Sequence, residues 1–182
     1  MPLTPLHDDD LDPRFYWQAR LPTTWAAGAW TTGDLIALND SNQTLFQALA
    51  AIETATTAND GEESSVPAAD VHRLDIKMNL VLAMLSRLMA HHALVPTVHE
   101  VVLADRFVVW RDAPIWQPGD QGVLDVFIDP LLALPLRLPM TIDEDGRGLF
   151  DGLTASSLQG IERFLFRQHR RDVAVSKQQQ RS

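Results

Sequence analysis

The sequence predicts an α+β protein in which antiparallel strands are interrupted by long helices and followed by a C-terminal helix. Apolar and polar residues alternate in steps of two across 97–150, which is the period of half-buried strands. Residues 67–93 instead repeat every 3.5 residues, and residues 154–172 place their apolar side chains on one helical face. With 182 residues the chain is long enough for a single domain spanning 1–182.

The composition disfavours several classes of function. There are 24 acidic and 15 basic residues and a formal net charge of −9, so a nucleic-acid partner held through its phosphates is not expected. The absence of cysteine excludes disulfides, thiol nucleophiles and cysteine zinc sites. The N-terminus is acidic where a signal peptide is basic, and no stretch has the about 18 apolar residues of a membrane span. We therefore expect a cytoplasmic protein without membrane insertion.

The first elements are predicted from aromatic and capping residues. Aromatic side chains crowd the segment 15–30, which indicates a strand and its connection. The cluster 39–42, Asn-Asp-Ser-Asn, consists of residue types that cap helices, and apolar residues follow it at helical spacing. We therefore predict a helix over 41–56 that begins at this cluster.

The next helix, 67–93, carries six apolar residues in alternating steps of three and four. They are Val71, Leu74, Met78, Val81, Leu85 and Leu88. Further apolar residues at the flanking e and g positions widen this seam, and the β-branched Val81 at d facing Leu85 at a is typical of assemblies larger than dimers. We predict a trimer or tetramer in which the helical insertion 41–93 forms an oligomeric coiled coil. Packing of the helix within the monomer is the alternative.

Period-two alternation dominates the second half of the chain. Residues 98–110 form two apolar runs around a turn-like segment, 104–106, and are predicted to be an antiparallel hairpin. The alternation resumes over 132–142, where Pro135 and Pro139 cannot donate ladder hydrogen bonds. That strand is therefore predicted to lie at a sheet edge or a barrel rim.

The last helix is predicted over 154–172, with Ser156 and Gln159 at capping-box spacing. Sequence motifs for catalysis or metal binding are missing. The chain has no GxSxG, GxxxxGK or HExxH, and His91 and His92 are adjacent, so they point about 100° apart on a helix. We expect neither a catalytic nor a metal site.

The order of these elements and two short segments resemble the atypical PilZ domain family. The segments are Gly148-Leu149-Phe150 in the closing strand and the Arg-Phe-Leu-Phe-Arg-Gln run of 163–168 in the last helix. The heptad helix, placed between the first strand and the others, is similar to that of the tetrameric members with inserted heptad-repeat helices. The resemblance implies a PilZ-like antiparallel β-barrel, a parallel four-helix coiled coil and therefore a homotetramer, and a link to cyclic di-GMP signalling in bacteria.

PilZ domains commonly bind cyclic di-GMP through an RxxxR and a D/NxSxxG motif. In this chain, the segments that correspond to these two motifs both depart from them. Arg14 and Arg20 are six residues apart instead of four. In the second motif, Val102, Ala104 and Phe107 replace the Asp or Asn, the Ser and the Gly. Loss of two charge-assisted hydrogen bonds at ~1.5–3 kcal/mol each weakens binding by on the order of 10² or more.

We therefore expect a non-catalytic signalling protein that needs no cofactor, self-assembles and acts through contacts with another signalling protein, in virulence or motility regulation. Its response to cyclic di-GMP is expected to be weak or indirect. The alternative is a direct cyclic di-GMP receptor in which Arg14, Arg20 and Arg106 form a rearranged site. An enzyme with a pocket between barrel and helices is a third, less favoured hypothesis.

Overall fold

The structure, a computed structural model, describes residues 16–58, 96–111, 116–129 and 134–179, together with Met78 and Leu132. Of residues 53–58, 178 and 179 it describes the backbone alone. This part of the chain contains six strands and two helices. In chain order they are β1 (Tyr16–Ala27), α1 (Thr32–Ala58), β2 (Thr97–Ala104), β3 (Phe107–Trp110), β4 (Gln121–Val126), β5 (Leu136–Ile142), β6 (Gly148–Phe150) and α2 (Ala155–Gln179).

The six strands form a closed antiparallel barrel in the order β1-β2-β3-β6-β5-β4. The long strand β1 pairs with β2 through its first part and with β4 through its last part, so one strand spans the seam of the barrel. The predicted hairpin is confirmed, with β2 and β3 joined by a turn at 105–106. The predicted α+β architecture with a barrel and a C-terminal helix is therefore confirmed.

Strand β5 is not an edge strand, because it pairs with β4 on one side and β6 on the other. It begins at Leu136 rather than 132, opposite Val126, where its partner β4 ends. The carbonyl of Pro139 accepts a hydrogen bond from the Asp151 N–H at 2.9 Å, just past the end of β6. In an antiparallel strand, the N and the C=O of one residue face the same neighbouring strand. The nitrogen of Pro139, which has no hydrogen to donate, therefore faces the segment just past the end of β6, where the β5–β6 ladder has ended.

Side chains close both ends of the barrel interior. At one end, Trp17 near the start of β1 meets Phe164 of α2 edge to face, with ring centroids 5.2 Å apart. Near the other end of β1, Trp25 packs against Trp116, which in turn contacts Trp110. The inward residues between them form one buried cluster, to which both helices contribute. Its helical members are Leu45 and Leu49 of α1 and Ile161, Phe164 and Leu165 of α2.

The predicted start of the first helix is wrong: α1 begins at Thr32, nine residues before 41. The cap is a reciprocal pair, in which Asp34 N–H donates to Thr31 Oγ1 at 3.2 Å and Thr31 N–H donates to Asp34 Oδ2 at 2.8 Å. The Thr31 amide and hydroxyl hydrogen bonds hold the pKa of the Asp34 carboxyl below its usual value. The polar residues at 39–42 therefore lie inside the helix and serve another purpose.

Two of those polar residues, Asn39 and Asn42, are buried and join α1 to the rest of the fold. Asn42 Nδ2 donates to the Arg137 carbonyl and Asn42 Oδ1 accepts from the Arg137 N–H, both at 2.8 Å, so the side-chain amide pairs with the β5 backbone as a neighbouring strand would. Arg137 also holds Asp125 of β4, with 3.1 Å between Nε and Oδ1. One residue of β5 thus connects the helix to the barrel wall.

Asn39 connects α1 to the beginning of α2. Its Oδ1 accepts hydrogen bonds from the Thr154 N–H at 2.9 Å and the Ser157 hydroxyl at 2.7 Å, and its Nδ2 donates to the Gly152 carbonyl at 3.0 Å. Thr154 is the N-cap of α2, because its Oγ1 accepts the Ser157 N–H at 3.2 Å. The predicted capping box of Ser156 and Gln159 is therefore wrong, although it lies only two residues away.

The two helices pack closely where Gly160 of α2 meets Phe46 of α1. A Cβ at position 160 would overlap the Phe46 ring, so the glycine is required by the approach of the helices. α2 then continues to Gln179, seven residues beyond the predicted end at 172. No Gly or Pro follows Gly160 in the sequence, so nothing interrupts the helix.

We expect the Asn42→Ala substitution to lower the free energy of unfolding by about 2–4 kcal/mol, because it leaves the partly buried N–H and C=O of Arg137 without partners at ~1–3 kcal/mol each. Denaturant unfolding followed by circular dichroism measures this change. Gln43→Ala is the matched control, since Gln43 is the next residue on the same helix, carries the longer amide and is exposed. Equal stability of the two variants would contradict the role given to Asn42.

Candidate functional site

Arg20 lies on the outer face of the barrel. It is exposed, and its Cα partner across the β1–β2 ladder is Glu100. The Glu100 carboxylate also accepts a hydrogen bond from the Gln18 side chain at 2.5 Å and lies 3.9 Å from Arg111 Nε. A phosphate approaching Arg20 would therefore meet a carboxylate on the neighbouring strand.

Arg106 lies in the β2–β3 turn, beyond the end of the ladder that carries Arg20. Its side chain is 68% exposed, with Nε 4.0 Å from Asp105. Ala104 at the turn lies four residue steps along β2 from Glu100, the partner of Arg20, which is roughly 13 Å of strand. The structure does not bring Arg20 and Arg106 together, and Arg14 lies outside the described residues.

Arg106 borders an open cleft of about 500 Å³ between the β2–β3 turn and the first two turns of α2. The lining residues are Arg106, Ala155, Ser156, Leu158, Gln159 and Glu162. An anion in this cleft would meet the Glu162 carboxylate as well as the Arg106 guanidinium. The lining supplies hydrogen-bonding groups and one charge of each sign.

The positions that correspond to the second ligand motif are apolar and covered. Val101 and Leu103 point into the barrel, so Val102 and Ala104 point outward, and yet these two are only 1% and 2% exposed. Neither side chain offers a hydrogen-bonding group to a ligand, and neither is accessible to one.

The nearby cation Arg147 is already engaged. Its guanidinium carbon lies 5.7 Å from the centroid of the Phe107 ring, over the residue that replaces the motif glycine. Two carboxylates hold the same guanidinium, Asp143 at 2.7 Å and Asp145 at 2.8 Å. These contacts neutralise the cation that lies over Phe107, the residue at the position of the motif glycine.

The predicted assembly residues fall mainly outside the described residues. Of the six, only Met78 is described, and it is helical and 59% exposed. The other five are Val71, Leu74, Val81, Leu85 and Leu88.

The covered position of Val102 and the buried asparagines of α1 were missed by the sequence analysis. For the two asparagines, Asn39 and Asn42, the only sequence signal is their i, i+3 spacing, which places both on one helical face.

The described ranges also bear on metal binding and on membrane insertion. There, no three His, Asp or Glu side chains stand close enough together to hold a metal ion. Neither α1 nor α2 has a segment apolar enough to span a bilayer.

Comparison with known proteins identifies the family. A family model described as "Atypical PilZ domain, cyclic di-GMP receptor" matches residues 46–178. Among solved structures, a similar chain is a pathogenic protein from Xanthomonas campestris, described as a new tetrameric PilZ domain self-assembled via an unusual helical bundle. The two sequences are 25% identical, the TM-score is 0.72, and the match covers 94% of this chain and 98% of that one. No curated protein matches.

We expect that restoring the acidic residue of the ligand motif will damage the fold. Val102→Asp places a carboxylate at a covered position and should lower the free energy of unfolding by about 3–5 kcal/mol, as an uncompensated buried charge does. Val98→Asp, at an outward position of the same strand that is 45% exposed, should cost less than about 1 kcal/mol. Chemical unfolding measures the free energy of unfolding of both variants. If Val102→Asp is as stable as the wild type, position 102 is accessible to solvent and the assignment is wrong.

Proposed function

Because the chain belongs to the atypical PilZ domain family, we propose that it is a non-catalytic bacterial signalling protein that self-assembles through its heptad helix and acts through protein contacts. In this proposal the response to cyclic di-GMP is weak or indirect. The family links the chain to cyclic di-GMP signalling, and the family's activity is ligand binding rather than catalysis.

The observation that carries the weak ligand response is the burial of Val102 and Ala104. A doubly anionic dinucleotide needs exposed donors, and these positions present covered hydrocarbon instead. Arg20 faces Glu100 across the ladder, and Arg106 stands at a distant turn. The local charges therefore oppose binding at the positions where the family motif would act.

Self-assembly is supported by the heptad seam, by the exposure of one of its residues and by a similar protein. The heptad seam runs through about three repeats of apolar residues. Met78, at an a position of that seam, exposes 59% of its surface in the single chain, as expected of a residue that a partner helix covers in the assembly. The similar protein from Xanthomonas campestris is described as tetrameric and self-assembled via a helical bundle. We propose a homotetramer on these grounds.

The second candidate function is a direct cyclic di-GMP receptor, which the family description favours. In that case Arg14, Arg20 and Arg106 would have to bind the ligand in a site that differs from the usual PilZ motif. The ligand would then contact two separated places on the barrel.

Leu85→Glu should dissociate the assembly, because it puts a carboxylate into the apolar seam without a partner. Light scattering coupled to size exclusion measures the molar mass of the variant. Ala83→Glu introduces the same charge at an f position, on the outside of the predicted coiled coil, and should leave the mass unchanged. An unchanged mass in Leu85→Glu would contradict assembly through this seam.

Calorimetric titration with cyclic di-GMP at physiological salt should give no heat of binding at micromolar concentrations, for the wild type and for Arg20→Ala alike. Micromolar or tighter binding by the wild type would favour the receptor function instead. Loss of that binding in the Arg14→Ala, Arg20→Ala double variant would then assign it to those arginines, with circular dichroism as the control for folding.

A further inference from the structure

Helix α2 carries an exposed row of alternating cationic and apolar residues on the face turned away from the barrel. The row consists of Arg163, Phe166, Arg170, Val173 and Lys177, and we call it the basic stripe. These residues follow one another in steps of three and four, so they lie within an arc of about 80° along four turns of the helix. The stripe has the spacing of a coiled-coil seam, with a cation at each a position and an apolar residue at each d.

The basic stripe takes no part in the hydrophobic core that the described residues form. α2 buries a different face, formed by Ile161, Phe164 and Leu165, in the core of the barrel. Phe166 is 54% exposed and Val173 is 38% exposed, so both expose a large apolar surface at the centre of the stripe. In the C-terminal part of α2, every residue in 170–177 is exposed.

The cations of the stripe are available for a partner. Arg163 and Arg170 are exposed, and neither forms a hydrogen bond or an ion pair with the described residues. α2 carries five basic and two acidic residues in a chain whose net charge is −9. The helix is therefore a positively charged element on an acidic protein.

We propose that the basic stripe docks an acidic amphipathic helix of a protein partner, with carboxylates facing the three cations and apolar residues covering Phe166 and Val173. This inference rests on the proposed action through protein contacts and names a surface for it. A second copy of α2 is a poor occupant, because two paired stripes would bring six cations and no carboxylate to one interface. An anionic lipid surface is also a poor occupant, because a plane would meet the acidic remainder of the protein, whereas a helix contacts the stripe alone.

The test uses the full chain and a synthetic amphipathic helix in which Glu and Leu alternate in steps of three and four. Fluorescence anisotropy of the labelled peptide measures its affinity at physiological salt. The Arg163→Glu, Arg170→Glu double variant should bind the peptide at least about tenfold more weakly than the wild type, and Phe166→Ala about tenfold more weakly. Arg171→Glu is the matched control, because Arg171 lies about 100° around the helix from Arg170 and should leave the affinity within about twofold.

A scrambled peptide of the same composition separates a shaped surface from general charge attraction, and should bind the wild type at least about tenfold more weakly than the amphipathic one. Equal affinity of wild type and double variant, or equal affinity for both peptides, would overturn the proposal. So would sedimentation of the wild type with anionic vesicles in the absence of peptide binding, which would assign the stripe to lipid.

The molar mass of the double variant keeps this inference distinct from the proposed function. A mass equal to that of the wild type, together with lost peptide binding, supports the stripe as a partner site separate from the heptad assembly. A reduced mass would assign the stripe to contacts between copies of the chain and overturn the proposal.

Discussion

The paired hydrogen bonds between the Asn42 side chain and the backbone of Arg137 are the constraint on which the rest of the structure depends. They fix α1 against the barrel wall, and Asn39, three residues earlier on the same face, fixes α1 against the first turn of α2. Buried amides satisfied at both ends tolerate little displacement, because any shift leaves polar groups without partners. The barrel, the helix leading towards the heptad segment and the exposed C-terminal helix therefore share one rigid frame.

This frame supports the proposal that the protein acts through assembly and partner contacts rather than by binding a ligand at the motif positions. The outward positions that would hold the ligand motif, Val102 and Ala104, are covered, and the guanidinium of Arg147 is occupied by two aspartates. Among the described residues, exposed apolar side chains occur on strands, at Val98 of β2 and Leu149 of β6, and on helices, at Met78 and at Phe166 and Val173 of the basic stripe. The proposals for assembly and partner docking rest on the helical ones, because the heptad seam and the basic stripe are each continuous along a helix.

Much of the fold could be predicted because its signals are local. The period-two pattern located the strands and the turn at 105–106, and the helical periodicity located both helices. The start of α1 could not be predicted in this way, since the capping types at 39–42 serve tertiary contacts whose partner, Arg137, is 95 residues distant. The Thr31 and Asp34 pair did have capping-box spacing, with Asp replacing the usual Glu or Gln. The separation of Arg20 from Arg106 followed only from the β1–β2 register, which no single strand specifies.

We propose above all an assembled scaffold, in which heptad helices join copies of a barrel held rigidly by α1. Its test is the molar mass of the wild-type protein, measured by light scattering over a dilution series with and without cyclic di-GMP. We expect a mass about four times the 20.3 kDa of one chain, independent of the nucleotide. A mass of one chain without nucleotide, or an assembly that forms only when cyclic di-GMP is added, would contradict it.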